Sequence, residues 1–449
     1  MSNSETPIQE TQHAFLVAWG WFAEHLGLIQ QLQAVSLKQK HYHHRPQTKV
    51  LEFLVAILAG LQHLQDISLA AHPLDKDQAV AQAWEQPAWA DYSGVSRTLS
   101  GLSWEEVKQI VQVLEQVSHP YLTTELQVLR SQGKQVCLDG DLTGLPVSNT
   151  SQTYPNAAFG HMNDEIRLGY QAGVVSLASP TYGRLWLSVA HHPGDTVSCT
   201  QAEALVPAAE ARLQRRPRRR TELLRQRIQA FEQQVTHIGE RLETQKQAVK
   251  RAKQRLAEAE QQVQERKLQV AELEKHYQTR KLQERPTSRL AQARQRRHSA
   301  VKRLNSRKSF CKEAQRRLDK TTAKLCQQQT ELADLCQRLR RFEQDNAANA
   351  EPIAAEFRLD AGFGTYGNVA LLIEMGYEVY TKPHSHKIVT YLKGQVDDTL
   401  TWTPVGANAE LVAWPTLQLK HCPYPLDVAA FALLHRENLE AERLVSLRV

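Results

Sequence analysis

The longest regular pattern of apolar positions is a heptad repeat in the middle of the chain. Mostly apolar side chains recur at alternating spacings of four and three through residues 224–277. A second run places one at every seventh position through residues 304–339. Both patterns are typical of coiled-coil helices, and Pro286 between them cannot continue a helix interior. We therefore predict an antiparallel coiled-coil hairpin within residues 211–346, with its tip near Pro286.

The second arm of this hairpin has the weaker hydrophobic seam. We assign its alternate seam positions to four polar residues, Lys308, Gln315, Thr322 and Gln329. Polar residues at seam positions lower the stability of a coiled coil. We expect a marginally stable hairpin without a partner, and two independent helices that dimerise between chains are the alternative arrangement.

The sequence on either side of the heptads predicts a helical N-terminal domain and an α/β domain that the hairpin interrupts. Turn residues join two of the predicted strands, which is typical of a β-hairpin. The predicted strands are 136–138, 169–177, 184–190, 356–360 and 377–381, with a helix at 366–375. The predicted domains are 1–130, the two halves of the α/β core at 131–210 and 347–387, the hairpin at 211–346, and a β-rich segment at 388–449, interpreted as the start of an insertion subdomain.

Positive charge is concentrated in the predicted hairpin. The whole chain has a formal net charge of +7. Residues 211–345 contain 36 Lys and Arg against 16 Asp and Glu, a difference of +20. A basic segment of this kind favours a polyanionic partner, although a solvated helix surface would have the same composition.

Composition also narrows the class of protein. No run of 18 apolar residues is present, so a membrane-spanning helix is not predicted. The first residues lack the basic and apolar regions of a secretion signal. The six cysteines form no CxxC pair, which favours a reducing compartment over disulfides or structural zinc. We therefore expect a cytoplasmic protein.

Two short apolar runs lead into aspartates, and these are the best candidates for chemistry. Residues 136–141 end in Asp139, Gly140 and Asp141, and residues 357–364 contain Asp360 before Gly362. We predict that each strand ends at its carboxylate and breaks at the glycine, at a sheet edge where ligands bind. Asp139 and Asp141 share a face because strand side chains alternate. Carboxylates brought together in this way are ligands for Mg²⁺ or Mn²⁺.

These motifs resemble a known family. Residues 138–146 are similar to the first catalytic strand of DDE-class insertion-sequence transposases, which have an RNase H-like core, and residues 358–364 are similar to their second. The resemblance implies that Asp141 and Asp360 are catalytic metal ligands on adjacent, near-parallel strands, with Asp139 as the fallback. It also implies DNA binding by the N-terminal helices. There residues 91–99 read as half of a helix-turn-helix or as a plain helix-helix turn.

The family's third carboxylate has no clear counterpart. Its members place a glutamate on a late helix in a tyrosine-arginine-glutamate signature. Arg436 and Glu440 have the arginine-to-glutamate spacing, but Leu433 stands where the tyrosine is expected. Residues 431–449 also predict a β-hairpin rather than a helix. Glu440 is the candidate, and the expectation is that the true glutamate lies beyond Val449 or has been lost.

The function implied by the resemblance is metal-dependent DNA cleavage and strand transfer at the ends of a mobile element. Its partners would be double-stranded DNA and a second copy of the chain, in the bacterial nucleoid and away from membranes. A catalytically decayed or truncated transposase that acts as a DNA-binding coiled-coil protein is the first alternative. An RNase H-like nuclease without transposition is the second.

Overall fold

The chain forms two compact units, residues 1–134 and 135–449. The computed structural model describes residues 10–39, 43–148, 154–162, 165–381, 401, 403–406, 409–417, 423–424, 426–433 and 444–448. Among the helices of this described part, none is long and apolar enough to cross a membrane.

The N-terminal unit is helical and is built around one apolar core. Its helices are α1 (Ala14–His25), α2 (Leu28–Ala34), α3 (Pro46–Leu58), α4 (Asp66–Leu69), α5 (Gln78–Ala83), α6 (Tyr92–Ser100) and α7 (Trp104–Ser131). Leu51, Ile67 and Trp84 are among the fully buried side chains of that core. The helical pattern predicted for residues 12–130 agrees with these elements.

Side-chain caps fix where the last two helices begin. Asp91 accepts a hydrogen bond from the Gly94 N–H at the start of α6 (2.9 Å). Ser103 and Glu106 form a reciprocal capping box at the start of α7, an arrangement that satisfies two otherwise unpaired N–H groups. Glu106 also accepts from the Lys38 N–H (2.7 Å), so this cap ties α7 to the segment after α2.

The second unit contains one mixed sheet. Its strands are β1 (Val136–Pro146), β2 (Ala158–Met162), β3 (Glu165–Ser179), β4 (Gly183–Pro193), β5 (Ala355–Leu359), β6 (Glu378–Thr381), β7 (Thr403–Gly406), β8 (Ala409–Leu417), β9 (Leu426–Leu433) and β10 (Leu444–Arg448). The order is β2-β3-β1-β5-β6-β10-β9-β8-β7, and β4 pairs with β3. Strand β1 is antiparallel to β3 and parallel to β5, and β5 is parallel to β6.

Several predicted elements are confirmed here. Strands β3 and β4 form the expected antiparallel hairpin. Strands β5 and β6 flank helix α11 (Tyr366–Glu374), which ends at Gly376 with φ +95°, a conformation that favours glycine. Strands β9 and β10 pair in antiparallel fashion, as predicted for a β-hairpin. Residues 434–443 between them lie outside the described part.

The prediction that the first aspartate strand ends at Asp141 is wrong. Strand β1 continues to Pro146 because β3 pairs with it through the Pro146–Gly169 position. Gly140 is not a breaker, since it is buried within the strand. A Cβ there would lie 2.7 Å from the Leu359 side chain and 2.8 Å from Phe357. The glycine therefore serves close packing between β1 and β5.

Helix α8 (Ala202–Leu213) leads to the hairpin, which consists of α9 (Thr221–Thr279) and α10 (Arg289–Ala348). The two helices pack along their length and are antiparallel. Ion pairs join Glu274 to Arg294 near the tip (2.7 Å) and Arg225 to Glu343 near the base (2.7 Å). The connection, residues 280–288, contains Pro286. The predicted antiparallel hairpin and the position of its tip are confirmed.

The predicted seam is accurate for α9 but wrong by one residue in α10. On α9 every predicted seam residue is buried or half-buried except Arg266. On α10 the apolar residues at every seventh position are half-buried as predicted, but Lys308, Thr322 and Gln329 are exposed. The alternate positions are instead occupied by Ala293, Ala300, Ala314, Thr321, Gln328, Leu335 and Phe342, which are buried or half-buried.

A network of buried ion pairs holds the base of the hairpin on the α/β core. The Arg219 guanidinium, 3% exposed, donates to both oxygens of Glu210 (2.6 Å each). It also donates to Asp345 near the end of α10 (2.9 Å) and to the Met375 carbonyl (3.0 Å). The Tyr377 hydroxyl donates to Glu210 (2.8 Å). This arginine therefore links α8, α10 and the end of α11.

Replacing Arg219 with methionine is expected to destabilise the second unit by about 3 kcal/mol or more, because the buried carboxylate of Glu210 loses its cation. The matched control is Arg215→Met. Arg215 pairs with Glu351 at 3.3 Å, but both side chains are about half exposed, and such a pair contributes about 1 kcal/mol or less. Unfolding in guanidinium chloride gives the free energy of unfolding of both variants. Equal effects of the two substitutions would contradict a structural role for the network.

Candidate active site

The aspartates of the two motifs lie at neighbouring levels of two adjacent strands, Asp141 within β1 and Asp360 just after β5. The parallel register of β1 and β5 pairs Asp139 with Arg358 and Gly140 with Leu359. The next step in this register brings Asp141 opposite Asp360, just after β5 ends. Cys137, Asp139 and Asp141 alternate with buried Val136, Leu138 and Gly140. Asp141 is therefore on the face of β1 that carries Asp139, and both Asp141 and Asp360 are exposed.

Local hydrogen bonds orient the Asp141 carboxylate. Its Oδ1 accepts from the Leu142 N–H (2.8 Å), and its Oδ2 accepts from the Thr143 hydroxyl (3.2 Å). Because strand side chains alternate, Thr143 lies on the same face as Asp141. Neither contact occupies all the lone pairs of a carboxylate oxygen, so Asp141 retains acceptor capacity towards a ligand.

Asp360 lies at a tight connection between β5 and α11. Its Oδ1 accepts from the Phe363 N–H (3.3 Å), and its carbonyl accepts from the Thr381 hydroxyl of β6 (3.0 Å). A Cβ at Gly362 would lie 2.6 Å from the Ser198 hydroxyl and 3.3 Å from Asp360 Oδ1. Glycine thus permits the connection to approach the turn before α8, and it sets the position of Asp360.

Asp139 faces a different partner. Arg358 donates from Nε to Oδ1 (2.7 Å) and from Nη2 to Oδ2 (2.9 Å), and Arg184 approaches at 3.7 Å. The hydrogen bonds to Asp139 raise the pKa of Arg358. A bidentate arginine is a strong, directional partner for a carboxylate. The site therefore divides into an ion-paired Asp139 and the exposed pair Asp141 and Asp360.

Cys137 on the same face is not a nucleophile. Its thiol donates to Glu356 (3.7 Å), and burial raises its pKa to about 12. A thiol of that pKa is protonated near neutral pH, whereas the thiolate is the reactive form. The available chemistry at this edge is therefore that of carboxylates and arginines.

The third carboxylate lies outside the described residues, since Glu440 belongs to residues 434–443. Lys382, His384 and His386, sequence candidates for contacts with the DNA backbone, lie outside them too. Within the described ranges, no group of three or more His, Cys, Asp and Glu side chains has the arrangement of a metal site. Asp141 and Asp360 supply two hard oxygen donors, a set that suits Mg²⁺ or Mn²⁺ when a further ligand or water completes it.

Arg358 is the residue of this site that the sequence analysis missed. The sequence does contain a signal for Arg358. Side chains alternate along β5, so a strand residue two positions before Asp360 is expected on the same face as Asp360. The partner of Arg358 depends on the pairing of two segments 219 residues apart in the chain. Sequence spacing alone does not reveal such a pairing.

A large cavity lies elsewhere, at the base of the hairpin. It has a volume of about 670 Å³, and its lining includes Arg216, Arg219, Asp345 and Phe342. The arginines that line it already pair with carboxylates, as in the bond from Arg216 to Asp345 (2.6 Å). We therefore regard this cavity as part of the structural network and place the candidate chemistry at the aspartates.

Comparisons with protein-family models, curated proteins and solved structures give no match.

Proposed function

We propose that this chain is a DDE-class DNA transposase that cuts and joins DNA by metal-dependent in-line phosphoryl transfer. The observation that carries the proposal is the parallel register of β1 and β5, whose last pair, Gly140 with Leu359, directly precedes Asp141 and Asp360. Two exposed carboxylates from segments far apart in the sequence therefore follow the same level of adjacent strands. Their separation along the chain argues against a merely local turn-forming role for each.

The strand order supports the RNase H-like part of the proposal. The segment β4-β3-β1-β5-β6 places an antiparallel group of three strands beside two strands parallel to β1. Helix α8 with the hairpin lies between β4 and β5, and α11 lies between β5 and β6. This sequence of strands and helices is the one that the family resemblance leads us to expect.

The residues of the site have distinct roles in this mechanism. Asp141 and Asp360 would hold the cations, with Asp141 oriented by Leu142 and Thr143. Bound Mg²⁺ supplies activation of a water or a 3′-hydroxyl and stabilisation of the leaving oxygen. Arg358 pairs with Asp139, which neutralises the charge that Asp139 would otherwise add to the repulsion of a DNA phosphate.

The test of the proposal is cleavage of duplex DNA carrying the sequences that flank the coding region. We expect nicking that requires Mg²⁺ or Mn²⁺ and stops when EDTA is added. No nicking under either metal, with DNA binding retained, would refute catalysis and favour the alternative, a DNA-binding coiled-coil protein. The strongly basic hairpin supports that alternative, because DNA binding by the hairpin needs no complete active site.

Replacing Glu440 with alanine tests the third ligand. Two carboxylates leave more of a cation's shell to water and position it less firmly, and small misplacements of reacting groups can cost about a hundredfold in rate. If Glu440 completes the site, Glu440→Ala slows nicking by about that factor. If the rate is unchanged, Glu440 is not the third ligand. In that case we expect this chain to cleave poorly.

A further inference from the structure

The two side faces of the coiled-coil hairpin differ in charge. On one side, ion pairs cross from α9 to α10: Arg225 with Glu343 (2.7 Å), Glu274 with Arg294 (2.7 Å) and Glu260 with Lys308 (3.9 Å). Each of these residues follows the second seam position of its heptad by one residue. At these three levels the facing residues have opposite charge, as in many antiparallel coiled coils.

The opposite side carries a row of cations that we call the basic ladder. Its members precede the first seam position of each heptad by one residue, which places them on the other flank of the seam. On α10 they recur every seven residues, with Phe310 in the middle of the row. All ladder residues are exposed: Arg289, Arg296, Arg303, Arg317 and Lys324 on α10, and Arg241 and Arg255 on α9.

The α10 segment that carries the first three ladder residues has no carboxylates. Residues 289–312 contain nine Lys and Arg, three of them in the ladder, and no Asp or Glu. On α9, Glu258, Glu265 and Glu272 lie two residues after a first seam position, on the same flank of the seam. Within the hairpin, which is fully described, Arg317 alone among the ladder residues forms an ion pair, with Glu313 (3.0 Å). On the opposite side, acidic and basic residues pair across the seam at three levels, whereas within the hairpin no ion pair joins α9 to α10 on the ladder side. This difference points to an external anion.

The ladder is long enough to follow an extended polyanion. Seven residues of helix rise about 10.5 Å, so the row from Arg289 to Lys324 extends about 52 Å. That is the length of about 15 base pairs of B-DNA. Arginine, which forms most of the row, binds phosphate through a planar fork of donors. The exposed apolar surface is limited to Phe310, 58% exposed, and similar isolated positions, which does not favour a membrane.

We propose that the basic ladder binds the phosphate backbone of duplex DNA along the hairpin. This inference rests on the proposed function for the choice of DNA as the polyanion, but it does not require cleavage. The network around Arg219 attaches the hairpin firmly to the α/β core. DNA bound along the ladder would thus be held at a defined position in the second unit.

The test compares two variants of the full chain that lose the same charge. The ladder variant combines Arg296→Gln, Arg303→Gln and Lys324→Gln. The control variant combines Lys250→Gln, Lys253→Gln and Lys312→Gln, which are exposed positions on the ion-paired side. Binding of a 30-base-pair duplex of arbitrary sequence is measured by fluorescence anisotropy between 50 and 200 mM NaCl without divalent metal, and circular dichroism compares helix content.

We expect the ladder variant to bind about tenfold or more weakly, with a salt slope less steep by about 2.7, since each lost phosphate contact removes about 0.9. The control should change the slope by less than about 1. Equal losses in both variants would mean that net charge alone matters and would overturn the proposal, as would unchanged binding by the ladder variant. The two proposals can fail separately. If the ladder variant binds DNA weakly but the unmodified chain never nicks DNA, the DNA-binding role of the ladder is supported and catalysis is refuted.

Discussion

Replacing Asp360 with asparagine is expected to lower metal-dependent nicking by on the order of a thousandfold, the scale typical of removing one member of a reacting unit. Asparagine keeps the size of the side chain and its Oδ1 acceptor for the Phe363 N–H, so the connection to α11 should persist. What is lost is a negative oxygen ligand for a hard cation. Nicking rate in Mn²⁺ and Mn²⁺ affinity by calorimetry should fall together.

The matched control is Asp139→Asn, two residues before Asp141 on β1. Asp139 is committed to Arg358 through two hydrogen bonds, so we expect nicking to fall by no more than about tenfold, through loosened positioning. Loss of nicking in Asp139→Asn with normal rates in Asp360→Asn would reverse the assignment. Normal nicking rates in both variants would refute the assignment of the active site to these aspartates.

The stability of the N-terminal unit is expected to fall as pH rises from about 4.5 to about 8, because of Glu52. This side chain is fully buried on α3, and burial raises its pKa from 4.5 to about 8. Its Oε2 accepts from the Ala90 N–H (2.8 Å), but Oε1 has no hydrogen-bond partner among the residues that the structure describes. Asp75 and Asp91 add smaller shifts in the same direction.

The sign of this dependence follows from proton binding. Between pH 4.5 and 8 the folded state holds the Glu52 proton while the unfolded state has released it, so stability declines with pH. A shift of this size corresponds to about 5 kcal/mol in the free energy of unfolding. Glu52→Gln, a neutral isostere, should abolish the decline and be the more stable form at pH 9. Hydrogen exchange of peptides from α3, followed as a function of pH, measures this stability.

Glu106→Gln provides the contrasting case. Hydrogen bonds from Ser103 and Lys38 lower the pKa of Glu106, so its contribution is present above the unfolded pKa and is lost as pH falls. We expect Glu106→Gln to destabilise the N-terminal unit at neutral pH.

For the Glu52 prediction, the contradicting result is a stability of Glu52→Gln that changes with pH in the same way as that of the unmodified chain. This result would show that Glu52 is charged in the folded state.

Elements whose signal is local were predictable from the sequence. The heptads of α9 and the breaker at Pro286 predict the hairpin, because an amphipathic helix must bury its stripe against another helix. The alternation of apolar residues predicts β3, β4, β5 and β6, and Gly376 marks the end of α11. Asp141 and Asp360 stand out because each follows an apolar run that a sheet would bury.

Tertiary structure decided the features that depend on partners distant in the chain. Strand β1 runs past Asp141 because β3 supplies hydrogen bonds there, and Gly140 is required by Phe357 and Leu359 of β5 rather than by a turn. On α10 small residues such as Ala293 and Ala314 occupy the seam, since the facing helix, not hydrophobicity alone, selects what fits. The pairing of Arg358 with Asp139 likewise exists only once β1 and β5 adopt their register, because side chains meet across a sheet according to pairing and not to sequence distance.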